Sequence, residues 1–273
     1  MKREESKSKP CKVICVRIRS SEALFEQNKV RCVRQSRLAM LKWNSSARLF
    51  SCASFGKLWG NLVYEEGSAM SDQLSPEAAE HRRPEHEVDT QFLNRWSPRA
   101  YLPKEVPADV LGSLLEAARW APSSGNGQPW RYVVARTLED RERVLSFVNP
   151  SNAEWCAQAP VLVVVFAHQV QANGNPNRWG GFDAGTSWGY LALAASQLGL
   201  SAHAMGGFDK DKALEALGVP GDGSFEAMAV IALGYRGPKE QLTERNRERE
   251  KPSTRRAFEE SFFEGRFGTG LKV

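Results

Sequence analysis

Between residues 89 and 235 the apolar positions switch repeatedly between a helical period and short continuous or alternating runs. Asp89 or Thr90 is placed to cap a short helix carrying Phe92, Leu93 and Trp96, which Pro98 stops. Val110, Leu111, Leu114, Leu115 and Ala118 recur at helical spacing over residues 108–120, with Pro107 suited to the first turn. Residues 131–135 form a short β-branched run, residues 138–148 read as an exposed helix, and residues 160–167 are apolar throughout, as a central strand is. A polar, Asn- and Gly-rich loop over 169–181 follows, with Trp179 and Phe182 at its end as ligand covers or loop anchors.

The most apolar helix spans residues 183–198. Trp188, Leu191, Ala195 and Leu198 mark one face and Gly185, Gly189, Ala192 and Ser196 another, which predicts burial almost all round. The small residues admit a second helix, with the chain's own symmetry mate as a candidate. Gly199 ends the helix, and residues 201–209 run from a strand through Gly206 and Gly207 into a helix beginning at Asp209. A last strand covers 227–233, and the charged run 239–251 reads as a solvated face. The organisation expected is a basic, then polar, disordered N-terminal extension over residues 1–88 and a single folded domain over 89–273.

Two stretches carry candidate chemistry. Ala121-Pro122-Ser123-Ser124-Gly125-Asn126-Gly127-Gln128-Pro129-Trp130 joins an apolar helix to an apolar strand. Its Ser123, Ser124, Asn126 and Gln128 offer groups that donate and accept, which the edge of a planar heteroaromatic requires. The same residue types also build an ordinary helix-to-strand turn. Upstream, Arg95-Trp96-Ser97-Pro98-Arg99 is held extended by its proline, so Arg95, Ser97 and Arg99 project alike and suit a phosphate monoester. A solvated charged turn is the plainer reading of that segment taken alone.

Charge and cysteine usage narrow the picture. Residues 1–69 hold 14 Lys and Arg against 6 Asp and Glu, so the basic balance belongs to them and implies no nucleic-acid partner for the rest. Four of the five cysteines lie there too; the fifth is Cys156, which excludes a disulfide framework for the folded domain. No apolar run is long enough to span a bilayer, and neither a metal site nor a membrane partner is expected. Residues 1–69 share the Arg and Ser richness of an organellar presequence, but four glutamates before residue 27 oppose it, and the working chain is expected to begin near Met70 and to be cytoplasmic.

The Ala121–Trp130 loop behind an amphipathic helix, with Arg95-x-Ser97-x-Arg99 upstream, resembles the nitroreductase family of FMN-dependent oxidoreductases. The resemblance runs from about Phe92 to Gly268 and implies an α+β fold: a central mixed, mainly antiparallel sheet flanked by helices, in a homodimer built around the 183–198 helix. It implies FMN as cofactor and NADH or NADPH as co-substrate, with hydride passed to a small-molecule electron acceptor such as a nitroaromatic or quinone. By the resemblance, Arg95, Ser97, Arg99 and Arg255 hold the phosphate, and Asn126 with Gln128 meets the pyrimidine end. Ser123 and Ser124 reach the partner's flavin, and the Gly206-Gly207 backbone faces N5 of the ring. Relatives commonly carry lysine where this chain has Ser253. His203 is read as structural, and no side chain is assigned a catalytic role, because the cofactor carries the redox chemistry. A flavin-binding module without reductase activity, or a dehalogenating enzyme on the same fold, are the other readings.

Overall fold

A computed structural model describes residues 73–273, together with the backbone of two short strands upstream. Those strands, β1 (Lys29–Arg34) and β2 (Arg37–Lys42), pair antiparallel in a unit of their own; the rest of residues 1–72, and with it most of the expected extension, lies outside the described residues.

The second unit is built on a sheet of β3 (Trp130–Ala135), β4 (Val161–His168), β5 (Ser201–Met205) and β6 (Phe225–Gly234), in the order β3-β4-β6-β5. All three ladders are antiparallel, in keeping with the expected α+β fold and its mainly antiparallel sheet. β4 explains why its apolar run has no alternation. Leu162, Val164 and Phe166 enter one core cluster while Val161, Val163, Val165 and Ala167 enter another, so both faces of the strand are buried. Each of the valine, leucine and phenylalanine side chains among them contributes about 1.5–3 kcal/mol of burial energy.

Helices cover both faces. α3 (Ala108–Arg119) and α6 (Gly180–Gln197) lie over the Val163 face. α4 (Leu138–Leu145), α5 (Pro150–Cys156) and α7 (Lys210–Ala216) lie over the Val164 face. Around this body stand α1 (Pro76–His81) and α2 (Thr90–Asn94) before it, and α8 (Glu244–Glu248) after the last strand. α2 is capped by the Asp89 carboxylate, which accepts the Gln91 N–H, and it stops ahead of Pro98 as its sequence demands.

Two expectations are corrected. Residues 73–88 are ordered where a disordered lead-in was expected: Ser75 caps α1, Pro76 occupies its first turn, and Glu77 pairs with Arg236. The run 239–251 is not a purely solvated face, because Asn246 and Glu250 are buried to 4% exposure. Within the single chain, Ala184, Ser187, Leu191 and Ala195 of α6 pack inward, whereas Phe182 and Tyr190 remain 73% and 43% exposed on the face where a second copy is expected. A Cβ added at Gly185 or Gly189 would meet nothing within 4 Å.

Candidate active site

The arginine loop behaves as its extended geometry predicts at its first two positions. Arg95 leaves α2 in a β conformation, and its Nη1 donates to Ser97 Oγ at 3.3 Å. Two further guanidiniums join it. Arg255, whose Nη1 donates to Ser253 Oγ at 3.1 Å, lies close enough for its charge to lower the pKa of Arg95, after the larger effect of burial. Arg82 is 8% exposed, and burial followed by the charges of Arg255 and Arg95 pulls its pKa down to about 10. Among the described residues none of the three forms an ion pair with a carboxylate. Three cations gathered without a counter-charge make a site for an anion.

Arg99 diverges from the expected triad. Its Nη1 donates to the Arg249 carbonyl at 3.2 Å, and its guanidinium stands over the Trp155 ring at 5.9 Å. Trp155 in turn tilts against His203, with ring centroids 4.5 Å apart. His203 donates from Nδ1 to the Pro98 carbonyl at 2.9 Å, and burial holds its imidazole down at about 4, so it stands neutral under the loop. Tyr101, fully buried, donates to the same carbonyl and to that of Ala232. The loop therefore rests on the sheet through Pro98.

β5 leads from His203 to the two glycines. Gly206 is exposed, and a Cβ there would meet nothing, so a ligand can approach its backbone. Gly207 is pinned: its carbonyl accepts from the Asn149 N–H at 3.0 Å and from Asn152 Nδ2 at 3.1 Å, and a Cβ would come within 2.6 Å of that nitrogen. Asn152 lies on α5, an element missed in the sequence because its Asn149-Pro150 start looks like the end of the preceding helix.

The Ser123–Gln128 loop is a tight turn in which Gly125, Asn126 and Gln128 all take positive φ, at 56°, 55° and 43°. Two non-glycine residues in that region mark a backbone held against its preference. Ser123 Oγ accepts the Gln128 N–H at 3.1 Å, and Gln128 Nε2 donates to Asn126 Oδ1 at 3.1 Å. The Ser124 N–H reaches the buried Asp183 carboxylate near the start of α6, at 3.1 Å.

The two halves of the expected site are tied to opposite ends of α6. Asp183 anchors the Ser124 loop, while Gln197, at the other end of α6, donates to Gln91 just before the arginine loop at 2.6 Å. Fourteen residues separate these anchors, about 21 Å along the helix axis.

The model of the nitroreductase family matches residues 93–154 and 148–235, spanning both halves. The chain belongs to the nitroreductase family. A solved structure described as an oxidoreductase containing FMN is 40% identical, with a TM-score of 0.65 over 70% of this chain and 97% of its own. A Rhodopseudomonas palustris protein carrying the provisional name NADH dehydrogenase/NAD(P)H nitroreductase is 31% identical over 60% of this chain and 91% of its own length. A Thermus thermophilus protein named NADH dehydrogenase is 31% identical over 55% and 86%.

In this chain the family match begins at Leu93 and ends at Tyr235, so Arg82, Glu250, Ser253 and Arg255 lie beyond it. Arg82 and Glu250 were hidden in the sequence, each sitting in a charged run where burial leaves no compositional mark.

Proposed function

We propose that the protein is an FMN-dependent oxidoreductase that draws electrons from NADH or NADPH and delivers them to a small conjugated acceptor, a nitroaromatic or a quinone. The observation that carries the reading is the convergence of Arg82, Arg95 and Arg255, unpaired with any described carboxylate, beside the Ser97 hydroxyl. A phosphate monoester dianion matches that donor set, and the FMN-containing relative supports the choice of phosphate ester. When bound, FMN supplies a two-electron carrier that one substrate reduces and the other reoxidises.

The chain's residues bind and orient. Arg95, Ser97 and Arg255 hold the phosphate, and Gly206 leaves its backbone open to the ring. Asn152 fixes Gly207, while Asn126 and Gln128 stand ready for the polar ring edge from a turn already set in its binding geometry. Arg99 steadies the loop through Arg249 and Trp155.

The active protein in this reading is a homodimer. A two-fold axis across the open middle of α6, at Gly185 and Gly189, lays two such helices antiparallel and brings the Ser124 end of one beside the arginine end of the other. Each cofactor would then take its phosphate from one chain and its ring contacts partly from Ser123, Ser124 and Asn126 of the second copy. No described helix is long and apolar enough to cross a membrane, and a cytoplasmic setting supplies both nicotinamides.

The test is reconstitution of the purified full-length protein with FMN, followed by its visible spectrum and flavin stoichiometry. One FMN per chain, lost on Arg95→Ala and on Arg255→Ala, is expected. A colourless protein that ignores FMN contradicts the reading.

A further inference from the structure

We infer that Arg82 is a positioning residue for the phosphate: its guanidinium ties the N-terminal arm and the C-terminal arm of the domain together around Arg95 and Arg255, so that filling the anion site and docking both arms are one event. The inference rests on the FMN reading above and extends it to residues outside the family match.

The geometry is specific. Arg82 directly follows α1, and its Nη1 donates to the carbonyls of Leu93 and Arg95, both at 2.7 Å. Its Nε donates to the carbonyl of Ser253 at 3.2 Å, across 171 positions of sequence. One rigid fork thus fixes the backbone that carries Arg95 and the backbone that carries Arg255 two residues later. Lysine has no such planar set of donors and cannot bond both segments in the same directions.

Other contacts join the same two arms. The Glu85 carboxylate accepts the Phe258 N–H at 2.9 Å, and His86 meets the Phe258 ring edge-on at 4.6 Å. Against these, Arg82 is buried with only carbonyl partners while two more guanidiniums face it. Burying a cation without a counter-ion is costly, and like charges add to the cost. A dianion among the three removes that opposition, whereas a ligand without a phosphate leaves it in place. Occupancy of the anion site should therefore tighten residues 76–88 and 253–260 together.

The experiment measures dissociation constants of FMN and of riboflavin, which lacks the phosphate, by quenching of flavin fluorescence on the full-length protein and on Arg82→Ala and Arg82→Lys. Arg82→Ala is expected to weaken FMN about tenfold or more and riboflavin less than about twofold, with Arg82→Lys recovering part of the loss. Hydrogen exchange on the unaltered protein gives a readout that survives misfolding of either variant: FMN, and not riboflavin, should slow exchange in both arms. Equal losses for the two flavins, no loss for either, or exchange in the arms unmoved by FMN overturns the inference while leaving FMN binding intact. An unaltered protein that binds neither flavin overturns the FMN reading and this inference with it.

Discussion

Glu250 Oε2 accepts the main-chain N–H of Arg99 at 2.8 Å, and Oε1 of the same carboxylate accepts that of Ala100 at 3.2 Å. A buried carboxylate from the segment after α8 thereby sets the backbone of the arginine loop from below. Glu250→Gln replaces one acceptor by a donor and leaves one of these N–H groups facing it, at a cost of about 1–3 kcal/mol. Thermal unfolding should drop by several degrees, and FMN should bind more weakly. An unchanged melting temperature with unchanged FMN affinity contradicts the role given to this clamp.

The two glycines after β5 should respond differently to the same substitution. Gly207→Ala forces Asn152 away from the Gly207 carbonyl, which lowers stability and alters the flavin spectrum. Gly206→Ala has room in the protein alone and should leave the melting temperature within about 1 °C while weakening FMN, since only a ligand would meet the new methyl group. Measured side by side, equal FMN binding by Gly206→Ala and the unaltered protein removes the backbone approach.

His203 gives a pH signature. Its imidazole is held down at about 4 by burial, against about 6.5 in the unfolded chain, so the unfolded state binds the proton first as pH falls. Its contribution is complete above pH 6.5 and is lost as pH falls toward 4, by at most about 3 kcal/mol. His203→Gln keeps a donor for the Pro98 carbonyl and should flatten urea-derived stability between pH 6.5 and 4. A variant with the same slope as the unaltered protein assigns the acid lability elsewhere.

The open face of α6 separates the monomer from its assembly. A side chain at position 189 has space for its Cβ in the single chain, so Gly189→Arg should still fold, with a lower melting temperature than the paired, unaltered protein because it forgoes the stabilisation of assembly. Sedimentation should find a monomer, and that monomer should lose FMN, since in the proposed dimer part of the ring contacts would come from the second copy. A flavin-loaded monomer contradicts the shared site.

Much of this was legible in the sequence, for physical reasons that differ by element. β4 and α3 announced themselves because burial dictates their side chains, and Asp89 and Pro98 bounded α2 by backbone chemistry alone. Arg95 and Ser97 came together because a proline-bound segment alternates its side chains. The supports did not show. Arg82, Glu250 and Asn152 act through contacts with distant backbone, and a polar residue that folds inward looks the same in sequence as one that faces water. α6 showed its small-residue face in the sequence, and in the single chain Gly185 and Gly189 stand open on that face. The antiparallel pairing of β4 was not legible from its own pattern, because the strand is covered on both faces and lacks the alternation that antiparallel strands usually carry.

The measurement that bears most directly on the central claim is an anaerobic titration of the FMN-loaded, full-length protein with NADH and with NADPH, following the flavin absorbance and then adding a quinone. The account predicts that at least one nucleotide bleaches the flavin stoichiometrically and that the quinone restores the colour. A bound flavin that neither nucleotide bleaches contradicts the oxidoreductase and leaves a protein that only holds its ligand.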